Sequence, residues 1–270
     1  MSLTLTLHAQ PEVPLEAETI VPQRFEGMTT TQVAAAKVLY GNRQAALGDF
    51  FRVEGQPDGE LRVVGDLFRV KMIGAGMTHG RITIEGNVGM HLGAAMSGGE
   101  ILVKGNAADW VGSEMSGGRI VVKGNAGHLV GSALRGERVG TRGGEIIIHG
   151  NAGNEVGSGM RRGLIAVGGN SGDFTGANML AGTVVVLGRL GWRTGAGMMR
   201  GTVASCQPAE LLPTFSYACT YRPVALRLVL AYLRGRGLAI TDEQFNGRYR
   251  RWSGDGVEAN RGEVLLPDKG

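Results

Sequence analysis

A 19-residue period constrains this chain more than any other feature. In "GNAADWVGSEMSGGRIVVKGNAGHLVGS", residues 105 to 132, Gly105-Asn106-Ala107 returns as Gly124-Asn125-Ala126, and Val111-Gly112-Ser113 returns as Val130-Gly131-Ser132. Aligned on this step, units begin at Gly65, Gly86, Gly105, Gly124, Gly150, Gly169 and Gly188. Asp66 and Arg189 replace Asn in the flanking copies, and the spacings are 21, 19, 19, 26, 19 and 19. The long step implies a seven-residue insertion, placed at about 137 to 143, "ERVGTRG". Glycine supplies 47 of 270 residues, against an average usage of about 7%. Because the glycines recur at fixed offsets, they specify an architecture and not a low-complexity tail.

Two and four residues before each Gly-Asn stand Ile82/Ile84, Ile101/Val103, Ile120/Val122, Ile146/Ile148, Ile165/Val167 and Val184/Val186. β-branched residues two apart share one face of a short strand, and that face is expected inside. A second inward column reads Met77, Met96, Met115, Leu134, Met160, Met179 and Met198, where a flexible thioether suits an irregular interior. One strand per 19 residues with glycine corners predicts a mainly β protein: a single-stranded right-handed parallel β-helix, or solenoid, of about seven coils. At about 4.8 Å per strand the rod would be about 34 Å long. The Asn column, Asn87 to Asn170, is expected to form an amide ladder at one corner.

The residues five before each Gly-Asn alternate in sign, Arg81, Glu100, Arg119, Glu145, as in-register stacking would favour. Three before it stand Thr83, Leu102, Val121, Ile147, Ala166 and Val185. If their neighbours face inward, these face outward and form an apolar stripe that a soluble monomer rarely leaves bare. Leu102, Val121, Ile147 and Val185 are therefore candidate interface residues, covered by the chain's own C-terminal helix or by another chain, and Arg138 and Arg142 of the insertion are further interface candidates.

The flanks read as a cap segment over 1–64, the repeats over 65–205 and a C-terminal extension over 206–270. "LTLTLH" alternates as a strand, "TTTQVAAAKVLYGN" reads as a Thr-capped helix ending at Gly41, and "FRVEGQPDGELRVVG" as a hairpin turning at Pro57-Asp58-Gly59. "RPVALRLVLAYLRGRG" reads as a helix with Pro223 at its start, apolar on most sides and packed on the repeats. The basic, aromatic stretch from Phe245 is expected to be irregular until a last strand.

Chemistry is hard to find. Net charge is +4 with a pI near 9.3, and the basic residues are scattered, so no nucleic-acid face is expected. Cys206 and Cys219 lack metal-ligand spacing. The N-terminus lacks the pattern of a signal peptide, and no run approaches the roughly 20 apolar residues that cross a bilayer; a cytoplasmic protein is expected. His8, His79, His91, His128 and His149 each stand alone, and Asp109, Asp173 and Glu155 read as surface residues in different columns. "GAGMTHG", Gly74 to Gly80, imitates a dinucleotide loop but is followed by a strand, not a helix. Hexapeptide acyltransferase and calcium-binding nonapeptide repeats fit neither the period nor the turn residues.

The repeats resemble the glycine-repeat β-helix of glutamate synthase large subunits and, more completely, the C-type subunit of formylmethanofuran dehydrogenases. The likeness extends to "YGNRQAALGDFFRVEG" (Tyr40 to Gly55), "LLPTFSY" (Leu211 to Tyr217) and "RYRRWSGDGVEANRGEVLL" (Arg248 to Leu266). Two complexes contain such a chain: the archaeal tungsten or molybdenum dehydrogenase, and the bacterial formyltransferase/hydrolase complex, which passes a formyl group from tetrahydromethanopterin to a methanofuran analogue and hydrolyses it to formate. Arg outnumbers Lys 23 to 5, which suits the bacterial complex better. The resemblance implies a non-catalytic scaffold with no catalytic, cofactor-binding or metal-binding residue of its own. Its partners would be an amidohydrolase-like A-type subunit, a B-type subunit and a formyltransferase D-type subunit, with the methanofuran analogue and metal held in those chains. The rival reading is an enzyme domain, or an element whose arginines, such as Arg135, Arg138 and Arg142, bind an acidic cofactor tail.

Overall fold

The computed structural model describes residues 2–268. The N-terminal part comprises β1 (Ser2–Leu7), β2 (Leu15–Glu16), α1 (Pro22–Phe25), α2 (Thr30–Ala34), β3 (Lys37–Tyr40), β4 (Arg43–Ala46), β5 (Phe51–Glu54), β6 (Gln56–Val64) and β7 (Val70–Lys71). Leu3 and Leu5 of β1 point inward as the alternation requires. The helix expected from Thr29 to Gly41 is only the five-residue α2. Thr29 and Gln32 form a reciprocal capping box, but Lys37–Tyr40 alternates in burial and turns at Gly41 (φ +61°) into β4. The hairpin expected at Pro57-Asp58-Gly59 is absent. β1 inserts between β5 and β6, antiparallel to one and parallel to the other, a pairing across about 50 residues that local turn chemistry cannot signal. β2, β3, β4 and β7 form a separate four-stranded sheet.

The repeats supply β8 (Arg81–Glu85), β9 (Glu100–Val103), β10 (Arg119–Val122), β11 (Arg142–Ile148), β12 (Arg162–Val167), β13 (Thr183–Val186) and β14 (Arg200–Ser205). Each lies parallel to the next in the register read from the sequence: Ile82, Ile101, Ile120, Ile146, Ile165, Val184 and Val203 are successive partners. The paired β-branched residues are fully buried. A second row of parallel bridges joins Leu67, Val88, Ala107 and Ala126, and backbone bonds such as Gly112 N to Leu92 O (2.8 Å) and Gly131 N to Val111 O (2.8 Å) tie a third side of each repeat to its neighbour. Gly112 shows why that side needs glycine. Its φ is +63°, and a Cβ would lie 2.5 Å from Ile146 Cδ1. The isoleucine of a later strand fills the space that a side chain would need.

The methionine column is buried throughout: Met77, Met96, Met115, Met160, Met179 and Met198 have no exposed surface. Leu134, expected among them, is only partly buried. Thr141 takes the inward place, with its Oγ1 donating to Gly131 O at 2.8 Å, and Arg142 N bonds Met115 O as Ser116 N bonds Met96 O. The in-register path therefore resumes at Thr141, and the seven extra residues are 134 to 140, earlier than the sequence pattern suggests.

After the repeats come β15 (Ser216–Tyr221), α3 (Val224–Gly235), α4 (Asp242–Asn246), β16 (Tyr249–Gly254) and β17 (Arg261–Pro267). The terminal stretch expected to be irregular is largely strand. β17 adds to β14 in parallel, then β16 and β15 follow antiparallel. The result is one 13-stranded sheet, in the order β15-β16-β17-β14-β13-β12-β11-β10-β9-β8-β6-β1-β5. One apolar core runs from Leu3 to Leu266. β6 pairs in register with β8, and β17 with β14, so the sheet passes through both boundaries expected near 64 and 205.

Candidate interaction surface

The outer face of the sheet carries the alternating charges as a ladder of ion pairs. Arg81 meets Glu100 at 3.1 Å, and Arg119 meets Glu100 at 3.6 Å and Glu145 at 2.9 Å. The ladder ends under α3, whose Tyr232 donates its hydroxyl to the Glu145 carboxylate at 2.6 to 2.7 Å. Burial presses Glu145 toward its neutral form, but the Tyr232 hydroxyl and Arg119 guanidinium outweigh it and hold the carboxyl below the usual carboxylate range. Arg236 stacks over the Tyr232 ring, 4.8 Å from its centroid.

The helix settles what covers half of the outward apolar column. Leu226, Leu230 and Leu233 form a second cluster with Ile147, Ala166, Val185 and Ala204, separate from the inner core. Ile147 and Val185, named as interface residues, are fully buried in this chain and cannot touch another. The reason is the one-sided apolar stripe of α3: Val224 and Leu228 on its far side are both 69% exposed, so the helix is not apolar on most sides. Val121 packs at the margin of this cluster. Leu102 lies outside it and is partly exposed.

The Asn column does form a ladder, but mainly from side chain to backbone. Asn87 Oδ1 accepts from Asn106 N (3.0 Å), and the pattern repeats through Asn106, Asn125, Asn151 and Asn170 to Arg189 N. A second ladder, four residues after each first glycine, corrects the reading of isolated polar residues. Asp109 Oδ1 accepts from His128 N (2.7 Å), His128 Nδ1 from Asn154 N (2.9 Å), Asn154 Oδ1 from Asp173 N (3.0 Å), and Asp173 Oδ1 from Trp192 N (2.8 Å). Asp109 and Asp173 thus share a column. The next residue in each repeat, including His91, Trp110, Leu129, Glu155 and Phe174, is left-handed with φ near +60°. The offset was countable in the sequence; the shared property is an acceptor atom, which residue-type columns conceal. Other histidines also have neighbours: His91 stacks on Trp110, His149 lies 3.0 Å from Lys123 Nζ, and His79 meets Glu26 at 2.6 Å.

The inserted loop walls a cleft of about 900 Å³ whose lining includes Trp110, Leu129, Leu134, Arg135, Arg138, Glu155 and Met199. The buried indole Nε1 of Trp110 has no hydrogen-bond partner among the described residues. Arg135 and Arg138 are brought together here, whereas Arg142 is exposed at the start of β11, opposite Arg162. Among the described residues no three His, Cys, Asp or Glu side chains are grouped so as to hold a metal ion, and no helix is long and apolar enough to cross a membrane.

The GXGXG motif family matches residues 62–212, more than half of the chain. The C-type subunit of tungsten-containing formylmethanofuran dehydrogenase 2 from Methanothermobacter marburgensis is 41% identical over 95 residues, 33% of this chain and 35% of that protein. Its counterpart in molybdenum-containing formylmethanofuran dehydrogenase 1 from Methanothermobacter thermautotrophicus is 42% identical over 94 residues, 34% of this chain and 24% of that protein. The matched segment thus spans about a third or less of those relatives. A chain of the formyltransferase/hydrolase complex (FhcABCD) from Methylorubrum extorquens, crystallised with methylofuran, superposes with a TM-score of 0.91 at 34% identity, over 98% of this chain and 99% of that one. With the repeat, the flanking strands and the near-complete superposition agreeing, the chain belongs to the GXGXG motif family, among homologues of the C-type subunit of formylmethanofuran dehydrogenases.

Proposed function

We propose that the chain is the C-type subunit of a formyltransferase/hydrolase complex and serves it as a rigid scaffold. The observation that carries this reading is the likeness to the Methylorubrum extorquens chain over almost the whole of both chains, whereas the dehydrogenase match covers 33% of this chain. On this reading the stacked repeats are about seven coils of a single-stranded right-handed parallel β-helix. An amidohydrolase-like A-type subunit, a B-type subunit and a formyltransferase D-type subunit carry the reacting groups, the metal and the methanofuran analogue. Together they move a formyl group from tetrahydromethanopterin to that analogue and release formate. The chain itself holds the geometry between them, and a cytoplasmic location accords with its two unpaired cysteines.

Purification of the tagged chain from its native host, with the associated chains identified, tests this. Recovery of a formyltransferase chain supports it. Recovery of a tungsten or molybdenum dehydrogenase chain instead would select the alternative that the curated relatives favour, and turnover by the chain alone would refute the scaffold role.

A further inference from the structure

The corner that precedes each strand changes character along the stack. Ahead of β9 and β10 it reads Ser97-Gly98-Gly99 and Ser116-Gly117-Gly118, but where β11 and β12 open it reads Arg142-Gly143-Gly144 and Arg161-Arg162-Gly163. Ahead of β13 it is Leu180-Ala181-Gly182, without arginine, and where β14 and β17 open it becomes Met199-Arg200-Gly201 and Asn260-Arg261-Gly262. The last glycine has a backbone reason: at Gly118 and Gly144, both left-handed, a Cβ would lie within 2.8 Å of the carbonyl oxygen of the preceding repeat. Nothing in the turn calls for arginine.

These arginines are exposed, and among the described residues none of them has an ion pair or a side-chain hydrogen bond. Register makes the arrangement unfavourable in isolation. Arg142 is the direct partner of Arg162, and Arg200 of Arg261, and like charges opposed on adjacent strands repel. On the earlier strands the charge column avoids this by alternating sign. From β11 to β17 the stripe crosses four strand steps, about 19 Å at about 4.8 Å each. Leu180 and Met199, the latter 43% exposed, take the place of Arg161 on the next two repeats: Leu180 N bonds Met160 O and Met199 N bonds Met179 O as Arg161 N bonds Thr141 O.

A phosphate or a small dicarboxylate would engage one or two of these side chains and leave the rest opposed. A nucleic-acid backbone would set its charges over Leu180 and Met199. A protein surface with several carboxylates around an apolar residue matches both the length and the mixed chemistry. We propose that this basic corner is the docking face for an acidic segment of a partner protein and, resting on the reading of the chain as part of a complex, that the partner is another chain of that complex.

The test uses the full-length tagged chain in its native host, with a photo-crosslinking amino acid at position 162 in one version and Arg162→Glu/Arg200→Glu in another. The expected crosslink joins position 162 to an Asp- or Glu-rich segment of one identified protein. The double variant should melt as the wild type does yet recover that protein at least about tenfold less well, wild-type recovery should fall as salt rises, and reversing the crosslinked acidic residues to Arg should restore it. Crosslinking to nucleic acid, release of a small polycarboxylate with no protein crosslink, or recovery of the same protein regardless of salt and of the double variant would each overturn the proposal. A crosslinked acidic partner without formyl chemistry would leave the docking face standing and refute the proposed function. Recovery of the formyltransferase chains independent of the stripe would do the reverse.

Discussion

Truncating Leu230 to alanine isolates the contact that holds α3 to the sheet. Leu230 has no exposed surface and belongs to the cluster formed with Ile147, Ala166 and Val185. Leu→Ala at such a site removes the transfer energy of the lost groups and leaves a cavity, together about 2–5 kcal/mol. The strands beneath are held by pairing on both sides, so they have little freedom to close the gap, and about 3 kcal/mol is expected. That is about a hundredfold in an opening equilibrium. Because this cluster is separate from the inner core, the loss should be local. Amides of 224–235 should exchange about a hundredfold faster while those of β9 and β10 keep their protection. Leu228→Ala, at a position 69% exposed, should change exchange by less than about 0.5 kcal/mol in equivalent terms. Acceleration under about fivefold in α3, or equal acceleration in β9 and β10, would refute a helix held by its own local cluster.

The carboxylate under the same helix gives a pH dependence. Since Glu145 is held below its ordinary pKa, its contribution is present above the unfolded value and lost as pH falls through the folded one. The protection factors of α3 amides, referred to the intrinsic rate at each pH, should therefore fall as pH drops below about 4, and Glu145→Gln should abolish that dependence. Burial pushes the Cys206 thiol up to about 11, whereas Cys219 is exposed, so a thiol reagent at neutral pH should label Cys219 alone until the protein is unfolded, as peptide mapping would report. Gly112→Ala should destabilise by about 2 kcal/mol or more in chemical denaturation, since it combines left-handed strain with a clash against Ile146. Ala95→Gly, where alanine already has φ +55°, should stabilise by up to about 1 kcal/mol.

What the sequence revealed followed from repetition. The Ile/Val pairs, the methionines and the Arg81–Glu100–Arg119–Glu145 alternation recur at one offset, and each residue's environment is set by the same residue one repeat away. Where repetition stops, local signals mislead. β1 enters between β5 and β6 from the chain terminus, and β17 crosses about 60 residues to reach β14; neither pairing leaves a trace in nearby turns. Thr141 was hidden because the inserted loop puts Leu134 at the expected count. The interface candidates divided for a related reason: Ile147 and Leu102 share a column, but only Ile147 lies within reach of α3.

The run of parallel strands ends where an antiparallel strand joins it, β5 on β1 at one end and β16 on β17 at the other, with β15 outside β16. Neither rim offers the edge of another repeat, so two copies of the protein have no matching surface with which to continue the stack, and open-ended filaments are disfavoured. The length of the sheet is therefore a property of how many 19-residue units lie between two fixed closures. Duplicating one unit, for example 105–123, would leave both closures unchanged while moving them apart by one strand spacing, about 4.8 Å. Between closures of this kind the repeat acts as a gauge whose increments are set by backbone hydrogen bonding, and a change in unit number would appear as a stepwise change in the distance between whatever is attached at either end.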